Sequence, residues 1–384
     1  MSLIKSKRIR KWVLVLIGST ALIGLVFYTQ YVEKKEPIRI GVVGPMSGLN
    51  SDLSVLGRRG VELAISERNA IGGIKGRKID IVIKDDKNDP SIARQKRDEF
   101  IKEKIQVVIG HYTSGMMLAT YGGIRDKEIL YLSPTVSADQ LSGIDDNFIR
   151  FIASTKEQAV VLSNEIQKRN IKRIAIIFDQ KNIGFNEALI KNFNEKIKVY
   201  GGNITLSVPY SVKDAKVIEN IVNQVKLSSA DAVFIIAGSE DCAKFAQEIH
   251  KGEIKIQILA PLCANTTELI KKGGTAVNGM LIIGGINPDN QAEGFVEFEK
   301  KYEKMFSEKP TFASMYSYEA TLCLLDAIGR CKKISSENIK REILKIKSYK
   351  GIQGSYEIDK FGDNTREYMV FEIMDGKQKR VTNE

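Results

Sequence analysis

Short apolar segments alternate with longer amphipathic ones along most of the chain. IRIGVVG, residues 38–44, is apolar apart from Arg39 and its glycines, a pattern typical of a strand buried on both faces. GVELAISERNA, residues 60–70, sets apolar against charged residues at helical spacing. The strand-like segments IDIVIKDD, VVIG and ILYLSP then alternate with the helical segments PSIARQKRDEFIKE and MMLATYGGIRDKE. This β-α-β-α-β-α-β order predicts a parallel sheet covered by helices on both faces.

The alternation restarts near residue 154 and predicts a second sheet of similar size. Its strand-like segments are RIAIIFD, NITLSVPY, DAVFIIAG, IQILAP and MLIIGG. The helical segments FVEFEKKYEKMF, YEATLCLLDAIGRC and IKREILKI follow, and the remainder to MVFEIMDGK is typical of a β-meander. The sequence therefore predicts an α/β protein with two doubly wound, Rossmann-like lobes.

A different pattern precedes the first strand. The basic stretch KSKRIRK is followed by an uncharged run from Trp12 to Val32, about as long as the ~20 residues that a membrane-spanning helix needs. This order predicts a cytoplasmic basic segment over 1–11, a transmembrane anchor or signal segment over 12–32, and an extracytoplasmic remainder. The run has no small-residue cleavage site after it, which favours an uncleaved membrane anchor over a signal peptide that leaves a periplasmic protein.

Composition narrows the classes of protein that remain. A chain of 384 residues with 43% hydrophobic residues is longer than one hydrophobic core usually supports. The net charge of +11 does not predict a nucleic-acid partner, because the basic residues beyond the N-terminus are interleaved with acidic ones. No catalytic or cofactor motif occurs in a suitable context, and the two histidines are isolated. We therefore expect no enzymatic activity, no metal and no cofactor.

The four cysteines leave the disulfide state open. Cys323 and Cys331 lie eight residues apart in one predicted helix, too far along its axis to bridge. Cys242 and Cys263 both follow predicted strands and could be neighbours or separate buried thiols.

Polar loops follow the predicted strands and mark the expected binding site. Open parallel sheets bind ligands beyond the carboxyl ends of their strands, and domain interfaces often hold small-molecule pockets. The loops concerned are GPMSGLNSD, KDDKNDP, GHYTSG, SPTVSAD, FDQKNIGF, AGSEDC and APLCAN.

These loops carry a family resemblance. GPMSG follows the first strand, N-x-x-GG-I-x-G precedes the second, and D-D-x-x-D-P comes after the second. The later motifs, in chain order, are VVIGHYTSG, ILYLSPTVSADQL, RIAIIFDQKNIGF and YEATLCLLDAI. In this order and spacing, the chain resembles the leucine/isoleucine/valine-binding protein family, the type I periplasmic binding proteins of ABC transporters. The resemblance covers about residues 38–375.

The resemblance implies an architecture and a function. Three crossovers would join lobe 1, residues 37–153 plus 286–350, to lobe 2, residues 154–285 plus 351–384. Such a protein captures a small amino-acid-like or carboxylate ligand between its lobes by hinge closure and presents it to an ABC permease. The alternative is a membrane-tethered sensor ectodomain that reports ligand occupancy to a signalling partner.

The resemblance also implies how each charged end of a ligand is held. Hydroxyls and backbone N–H groups of the third and fourth strand loops hold a substrate carboxylate, here at Ser114, Thr135 and Ser137; the other reading of these hydroxyls is helix capping. The acid that pairs with a substrate ammonium in the branched-chain-binding member is replaced here by Leu262 or Cys263. Because a buried ammonium without a counter-charge is costly, either an acid in the AGSEDC loop supplies the charge or the ligand lacks an α-amino group.

In that loop, Asp241 or Glu240 could supply the charge, although both also suit the first turn of the following helix. Aromatic residues such as Tyr112 and Phe312 are expected beside the ligand's side chain, unless they belong to the core. The complete set of predicted ligand-binding residues is Ser47, Tyr112, Ser114, Thr135, Val136, Ser137, Ile183, Phe185, Ser239, Asp241, Leu262 and Phe312.

Overall fold

The structure of the protein is a computed structural model that describes residues 36–48, 51–124, 129–211 and 214–382. Within that part the chain forms two large sheets covered by helices, so the predicted two-lobed α/β architecture is confirmed. The membrane segment predicted over residues 12–32 lies outside the described residues. No helix inside them combines the length and the apolarity needed to cross a membrane.

The N-terminal strands build the sheet of lobe 1. Its strands are β1 (Ile38–Gly44), β2 (Ile79–Asp85), β3 (Val107–Ile109), β4 (Leu130–Ser133) and β5 (Phe148–Arg150). All neighbours are parallel and pair in the order β2-β1-β3-β4-β5. The helices between the strands are α1 (Asp52–Ala70), α2 (Pro90–Lys102) and α3 (Ser114–Tyr121). Every residue of β3 and β4 is buried because helices cover both faces.

The chain then builds most of the sheet of lobe 2. The successive elements are α4 (Thr155–Lys168), β6 (Arg173–Asp179), α5 (Ile183–Lys198), β7 (Asn203–Tyr210), α6 (Ala215–Leu227), β8 (Ala232–Ile236), α7 (Ser239–Lys251), β9 (Gln257–Ala260), α8 (Thr267–Gly273) and β10 (Leu281–Gly284). The strands among them pair in parallel, and the four central ones supply the buried apolar residues that the sequence pattern predicts.

The remaining elements serve both lobes. They are α9 (Glu293–Phe306), α10 (Phe312–Arg330), α11 (Ser336–Leu344), the hairpin strands β11 (Ser348–Gly351) and β12 (Gly354–Glu357), and the strands β13 (Met369–Met374) and β14 (Lys377–Arg380). Helix α10 packs along α1 in lobe 1. Strand β13 pairs antiparallel with β10, which completes the second sheet in the order β14-β13-β10-β9-β8-β6-β7.

Three segments connect the two sheets, at residues 151–154, 285–292 and 358–368. The family resemblance implies that residues 351–384 belong to lobe 2. In the structure Tyr356 and Ile358 pack in the core of the first sheet, and the chain joins the second sheet at β13. We therefore infer that the last segment of lobe 1 extends to residue 358.

Strand β5 is absent from the sequence-based prediction. It is only three residues long and ends in Arg150, whose side chain is 2% exposed. The Arg150 guanidinium donates to the carbonyl of Ala138 at 3.2 Å and pairs with Asp363 at 2.8 Å. A charged residue that is neutralised by distant partners removes the apolar pattern on which strand prediction depends.

Candidate ligand-binding site in the cleft

A cavity lies in the cleft, where the loops after the strands of the two lobes face each other. Its empty space is about 750 Å³, part of it open to solvent. Lobe 1 lines it with Asp52, Leu53, Asn88, Tyr112, Thr113, Ser114, Thr135, Ser137, Ile152 and Phe312. Lobe 2 lines it with Gln158, Asp179, Asn182, Phe185, Asn186, Ala237, Gly238, Leu262 and Cys263. This is the location that open parallel sheets favour for ligands.

Hydroxyl groups of lobe 1 cluster on one wall of the cavity. Ser114 is the first residue of α3, so its hydroxyl lies at the positive end of that helix. Thr135 follows the neighbouring strand β4, and its Oγ1 donates to the carbonyl of Tyr112 at 2.7 Å. This bond ties the third and fourth strand loops together. Because the Thr135 proton is used in this bond, the hydroxyls of Ser114 and Ser137 are the donors that suit a carboxylate.

Gln158 connects this wall to lobe 2. It lies on α4, directly after the first crossover, and its Nε2 donates to the hydroxyl of Ser137 at 3.5 Å. Its Oε1 accepts a hydrogen bond from the backbone N–H of Leu262 at 3.3 Å. Gln158 therefore fixes the fourth strand loop of lobe 1 relative to the APLCAN segment of lobe 2.

A second contact across the cleft involves the amino end of α3. The backbone N–H of Gly115 donates to Oδ1 of Asn182 at 2.9 Å. Asn182 directly precedes α5 in lobe 2 and also lines the cavity. A side-chain oxygen of lobe 2 thus satisfies a helix N–H group of lobe 1 when the lobes are in contact.

Two carboxylates contribute charge to the cavity, one from each lobe. Asp52, at the start of α1, accepts hydrogen bonds at its Oδ2 from the hydroxyl of Ser239 at 2.6 Å and from that of Thr266 at 2.7 Å. Asp179, at the end of β6, accepts from the backbone N–H of Lys181 at 2.9 Å. No lysine, arginine or histidine among the described residues lines the cavity. The described lining therefore contains two carboxylates and no basic side chain.

The structure brings seven of the twelve predicted residues into the cavity lining, namely Tyr112, Ser114, Thr135, Ser137, Phe185, Leu262 and Phe312. The other five do not line it. Ser47 lies in the first strand loop, three residues after β1, where its hydroxyl donates to Asp85 at 2.5 Å. Val136 is fully buried in the core beside α2 and α3. Ile183 is 40% exposed at the start of α5, and Ser239 reaches the cavity only through its bond to Asp52.

Asp241, one of the two acids expected to pair with a ligand ammonium, does not line the cavity. Its side chain is 1% exposed and its Oδ2 accepts a hydrogen bond from the hydroxyl of Tyr210 at 2.8 Å, away from the cavity. Burial, and then the charge of Asp241, raise the pKa of Tyr210. Glu240, the other acid of that loop, pairs with Lys244 at 3.2 Å and Lys272 at 3.4 Å. Neither acid faces the cavity, because the first turn of α7 directs both side chains elsewhere.

Sequence reasoning did not single out the polar residues Asp52, Asn88, Thr113, Gln158, Asp179, Asn182 and Asn186, which all line the cavity. Most of them lie in or beside the loops that follow the strands, which the sequence had identified as the binding region. The sequence did not indicate which of their side chains face the cavity. Gln158 lies inside a helix and carried none.

Cys242 and Cys263 are neighbours in the structure. Both sulfurs contact the carbonyl of Ala237, at 3.5 Å and 3.4 Å, and both cysteines are free thiols. Burial, followed by the nearby Asp52 charge, raises the pKa of Cys263 to about 12. Cys323 and Cys331 are also free.

Comparison with known proteins gives the family. The family model described as periplasmic binding protein matches residues 37–378. The Leu/Ile/Val-binding protein homolog 1 of Brucella suis biovar 1 (strain 1330) is 26% identical over 333 residues, which are 85% of this chain and 87% of that protein. The Leu/Ile/Val-binding protein of Escherichia coli (strain K12) is 26% identical over 258 residues, or 66% of this chain and 69% of that one.

Solved structures share the fold. The substrate-binding protein LivJ of Streptococcus pneumoniae, in complex with isoleucine, superposes with a TM-score of 0.82 at 21% identity, over 90% of this chain and 99% of that chain. The leucine-binding protein LivK of Thermotoga maritima gives a TM-score of 0.83 at 22% identity, over 90% and 98%. With the family model spanning both sheets and the cleft between them, the chain belongs to the periplasmic binding protein family and has its type I fold.

Proposed function

We propose that the protein is an extracytoplasmic solute-binding protein that holds a small α-amino acid with an apolar side chain in its cleft. The observation that carries the proposal is the combination of three features in one cavity. They are a group of hydroxyl donors, an apolar wall, and carboxylates with no basic side chain among the described lining residues. An α-amino acid has one part to match each feature.

The carboxylate of the ligand would bind at the hydroxyl wall. Ser114 lies at the amino end of α3, and Thr135 and Ser137 lie on the adjacent loop of the same sheet. Hydroxyls together with the positive end of a helix dipole stabilise an anion without a positively charged side chain. A carboxylate can therefore be held in a cavity whose own charge is negative.

The side chain of the ligand would contact an apolar wall contributed by both lobes. The residues concerned are Leu53, Ile152, Phe185, Leu262 and Phe312. Leu262 is 1% exposed and Phe312 is 3% exposed, so their contact surfaces are available only from inside the cleft. Burial of an apolar side chain there contributes about 25 cal/mol per Å² of area removed from water.

The two carboxylates decide between a zwitterion and a simple anion. Solved relatives of this fold include one in complex with Leu from Desulfitobacterium hafniense and one in complex with benzoate from R. palustris. In the present cavity a benzoate-like anion would add a third negative charge near Asp52 and Asp179 with no ammonium to offset them. The lining therefore favours a ligand that brings its own positive charge.

Delivery to an ABC permease and attachment through the apolar segment of residues 12–32 complete the proposal. The sequence of that segment supports the attachment, and the family of the chain supports the transport role. Neither role requires a chemical step, and the residues in the cleft act by binding alone.

A ligand screen tests the proposal. The full chain, purified in a mild detergent, is unfolded thermally under circular dichroism in the presence of α-amino acids, their amides and simple carboxylates. A ligand at 100 times its Kd stabilises the folded state by about 2.7 kcal/mol. We expect a rise in Tm with apolar α-amino acids and none with benzoate. A rise with simple carboxylates alone would contradict the proposal.

A further inference from the structure

Asp52 occupies an unusual position between the lobes. It is the first residue of α1 in lobe 1, yet both hydroxyls that donate to its Oδ2 belong to lobe 2. Ser239 begins α7 and is 1% exposed, while Thr266 precedes α8 and is 2% exposed. The carboxylate also lines the ligand cavity. Asp52 therefore contacts the cavity and the opposite lobe at the same time.

The contact lies beside the segment in which the family resemblance expected an acid. Leu262 stands at that place, Cys263 follows it, and both line the cavity together with Asp52. Thr266 belongs to the same segment and donates to Asp52. Apart from burial, the charge of Asp52 is the largest influence that raises the pKa of Cys263. A carboxylate of lobe 1 thus lies beside the lobe 2 segment in which Leu262 replaces the expected acid.

We propose that Asp52 is the counter-charge for the ligand's ammonium group and that lobe 2 closes onto it through Ser239 and Thr266. The inference rests on the proposed function and names the residue that selects for an amine. Both hydroxyls use Oδ2, so the carboxylate can bind an ammonium through Oδ1 without losing its contacts to lobe 2. A carboxylate in that geometry accepts several donors at once.

Asp179 is the competing candidate. It also lines the cavity, but its Oδ1 accepts from the backbone N–H of Lys181 at 2.9 Å, in the turn that leads into α5. It is 6% exposed and lies on lobe 2. Its role in that turn explains its position without a ligand. Asp52 also suits the first turn of its helix, but that role does not account for the two hydroxyls that reach it from the other lobe.

This assignment gives the two lobes different roles: lobe 1 recognises the charged ends of the ligand, and lobe 2 closes over the bound ligand. Lobe 1 alone then carries the hydroxyl wall for the carboxylate and Asp52 for the ammonium. An open protein can bind both charged ends of an amino acid on one lobe, and lobe 2 then adds hydroxyl contacts and an apolar wall. Loss of the Asp52 charge changes which ligands bind, while loss of the lobe 2 hydroxyls weakens all ligands to a similar degree.

Isothermal titration of the full chain tests the assignment with two probes, L-leucine and (S)-2-hydroxy-4-methylpentanoate, which replaces the ammonium by a neutral hydroxyl. The variant Asp52→Asn keeps the size of the side chain and an oxygen that accepts from the hydroxyls. We expect its affinity for leucine to fall roughly 30-fold or more, and its preference for leucine over the hydroxy acid to collapse. Asp179→Asn should lower this preference much less than Asp52→Asn does, and the double variant Ser239→Ala/Thr266→Ala should keep the wild-type preference.

Two outcomes overturn the inference separately from the proposed function. If wild-type protein binds leucine and Asp52→Asn keeps the wild-type preference, Asp52 is not the counter-charge. If Asp179→Asn abolishes the preference instead, the charge comes from lobe 2. If wild-type protein binds no leucine at all, the proposed function fails first and the inference fails with it. Thermal unfolding of each variant by circular dichroism shows whether a lost affinity reflects a lost fold.

Discussion

The hydroxyl of Thr266 donates to the carboxylate of Asp52 at 2.7 Å, across the cleft that separates the two lobes. The bond joins the first helix of lobe 1 to the segment after β9 in lobe 2. Together with the bond from Gly115 to Asn182, it shows the lobes in contact around the cavity. We propose that the lobes open and close about their crossovers; contacts that exist only in the closed state then influence affinity.

The hydroxyls that reach Asp52 from lobe 2 should stabilise the closed state. Removing both in Ser239→Ala/Thr266→Ala is expected to weaken leucine binding about tenfold, because each hydrogen bond to a charged group contributes about 1.5–3 kcal/mol and water replaces part of it. Small-angle X-ray scattering of the variant without ligand should give a larger radius of gyration than that of wild-type protein. An unchanged radius and an unchanged Kd would show that these bonds do not influence closure.

The hydroxyl wall gives a prediction with a matched serine control. Ser114→Ala and Ser137→Ala each remove a donor that we assign to the ligand carboxylate, and each should raise the Kd for leucine about tenfold. Ser47→Ala removes a hydroxyl that bonds to Asp85 outside the cavity and should leave the Kd unchanged. Isothermal titration measures all three variants. Equal effects at the three positions would mean that the carboxylate site is misplaced.

A buried ion pair near the third crossover should be important for stability. Arg366 pairs with Glu319 of α10, their side chains are 10% and 3% exposed, and the guanidinium lies 4.2 Å from the ring centre of Tyr316. Arg366→Met leaves the Glu319 carboxylate buried without its partner and should lower the free energy of unfolding by about 3 kcal/mol. Urea unfolding measures the change.

The exposed pair of Arg173 and Asp231 provides the control for that experiment. Arg173 is 53% exposed, so solvent and salt screen its pair with Asp231. Arg173→Met should therefore shift the urea midpoint much less than Arg366→Met. If the two variants lose the same stability, burial of the Arg366 pair has no special effect.

The rate at which the Cys263 thiol is modified tests its position in the cleft. Burial and the charge of Asp52 raise its pKa to about 12, so the reactive thiolate is scarce at neutral pH. We expect iodoacetamide to modify Cys263 at least about 100-fold more slowly than a free cysteine, and leucine to slow it further because the residue lines the cavity. Mass spectrometry of the Cys263 peptide measures the rate. Modification at the rate of free cysteine, with or without leucine, would contradict this placement.

The fold was predictable from the sequence where apolar patterns were continuous, and the site was predictable only in part. Strands β1, β3 and β4 show the apolar runs of a sheet covered on both faces, whereas the buried Arg150 interrupts this pattern in β5. For the site, the strand order located the loops, because parallel strands place their carboxyl ends at one edge. Neither the apolar runs nor the strand order indicates the direction in which a side chain points. The loop of Asp241 therefore predicted a contact with a ligand ammonium, although its carboxylate accepts a hydrogen bond from Tyr210.

Residues that act across the cleft were the least predictable. Asp52 and Thr266 are 214 positions apart in sequence, and no local pattern relates a carboxylate at a helix start to a hydroxyl in another lobe. Gln158 lies within α4, where a polar residue normally indicates a solvated face, yet it is 1% exposed. These contacts follow from how the lobes meet, which depends on three-dimensional structure.

The central claim is that the cleft binds a zwitterionic amino acid because its carboxylates require a positive charge on the ligand. Isothermal titration of wild-type protein with L-leucine and with 4-methylpentanoate, the same carbon skeleton without the amine, tests it most directly. We predict saturable binding of leucine and an affinity for 4-methylpentanoate at least about 30-fold weaker. Equal affinities, or binding of 4-methylpentanoate alone, would contradict the claim.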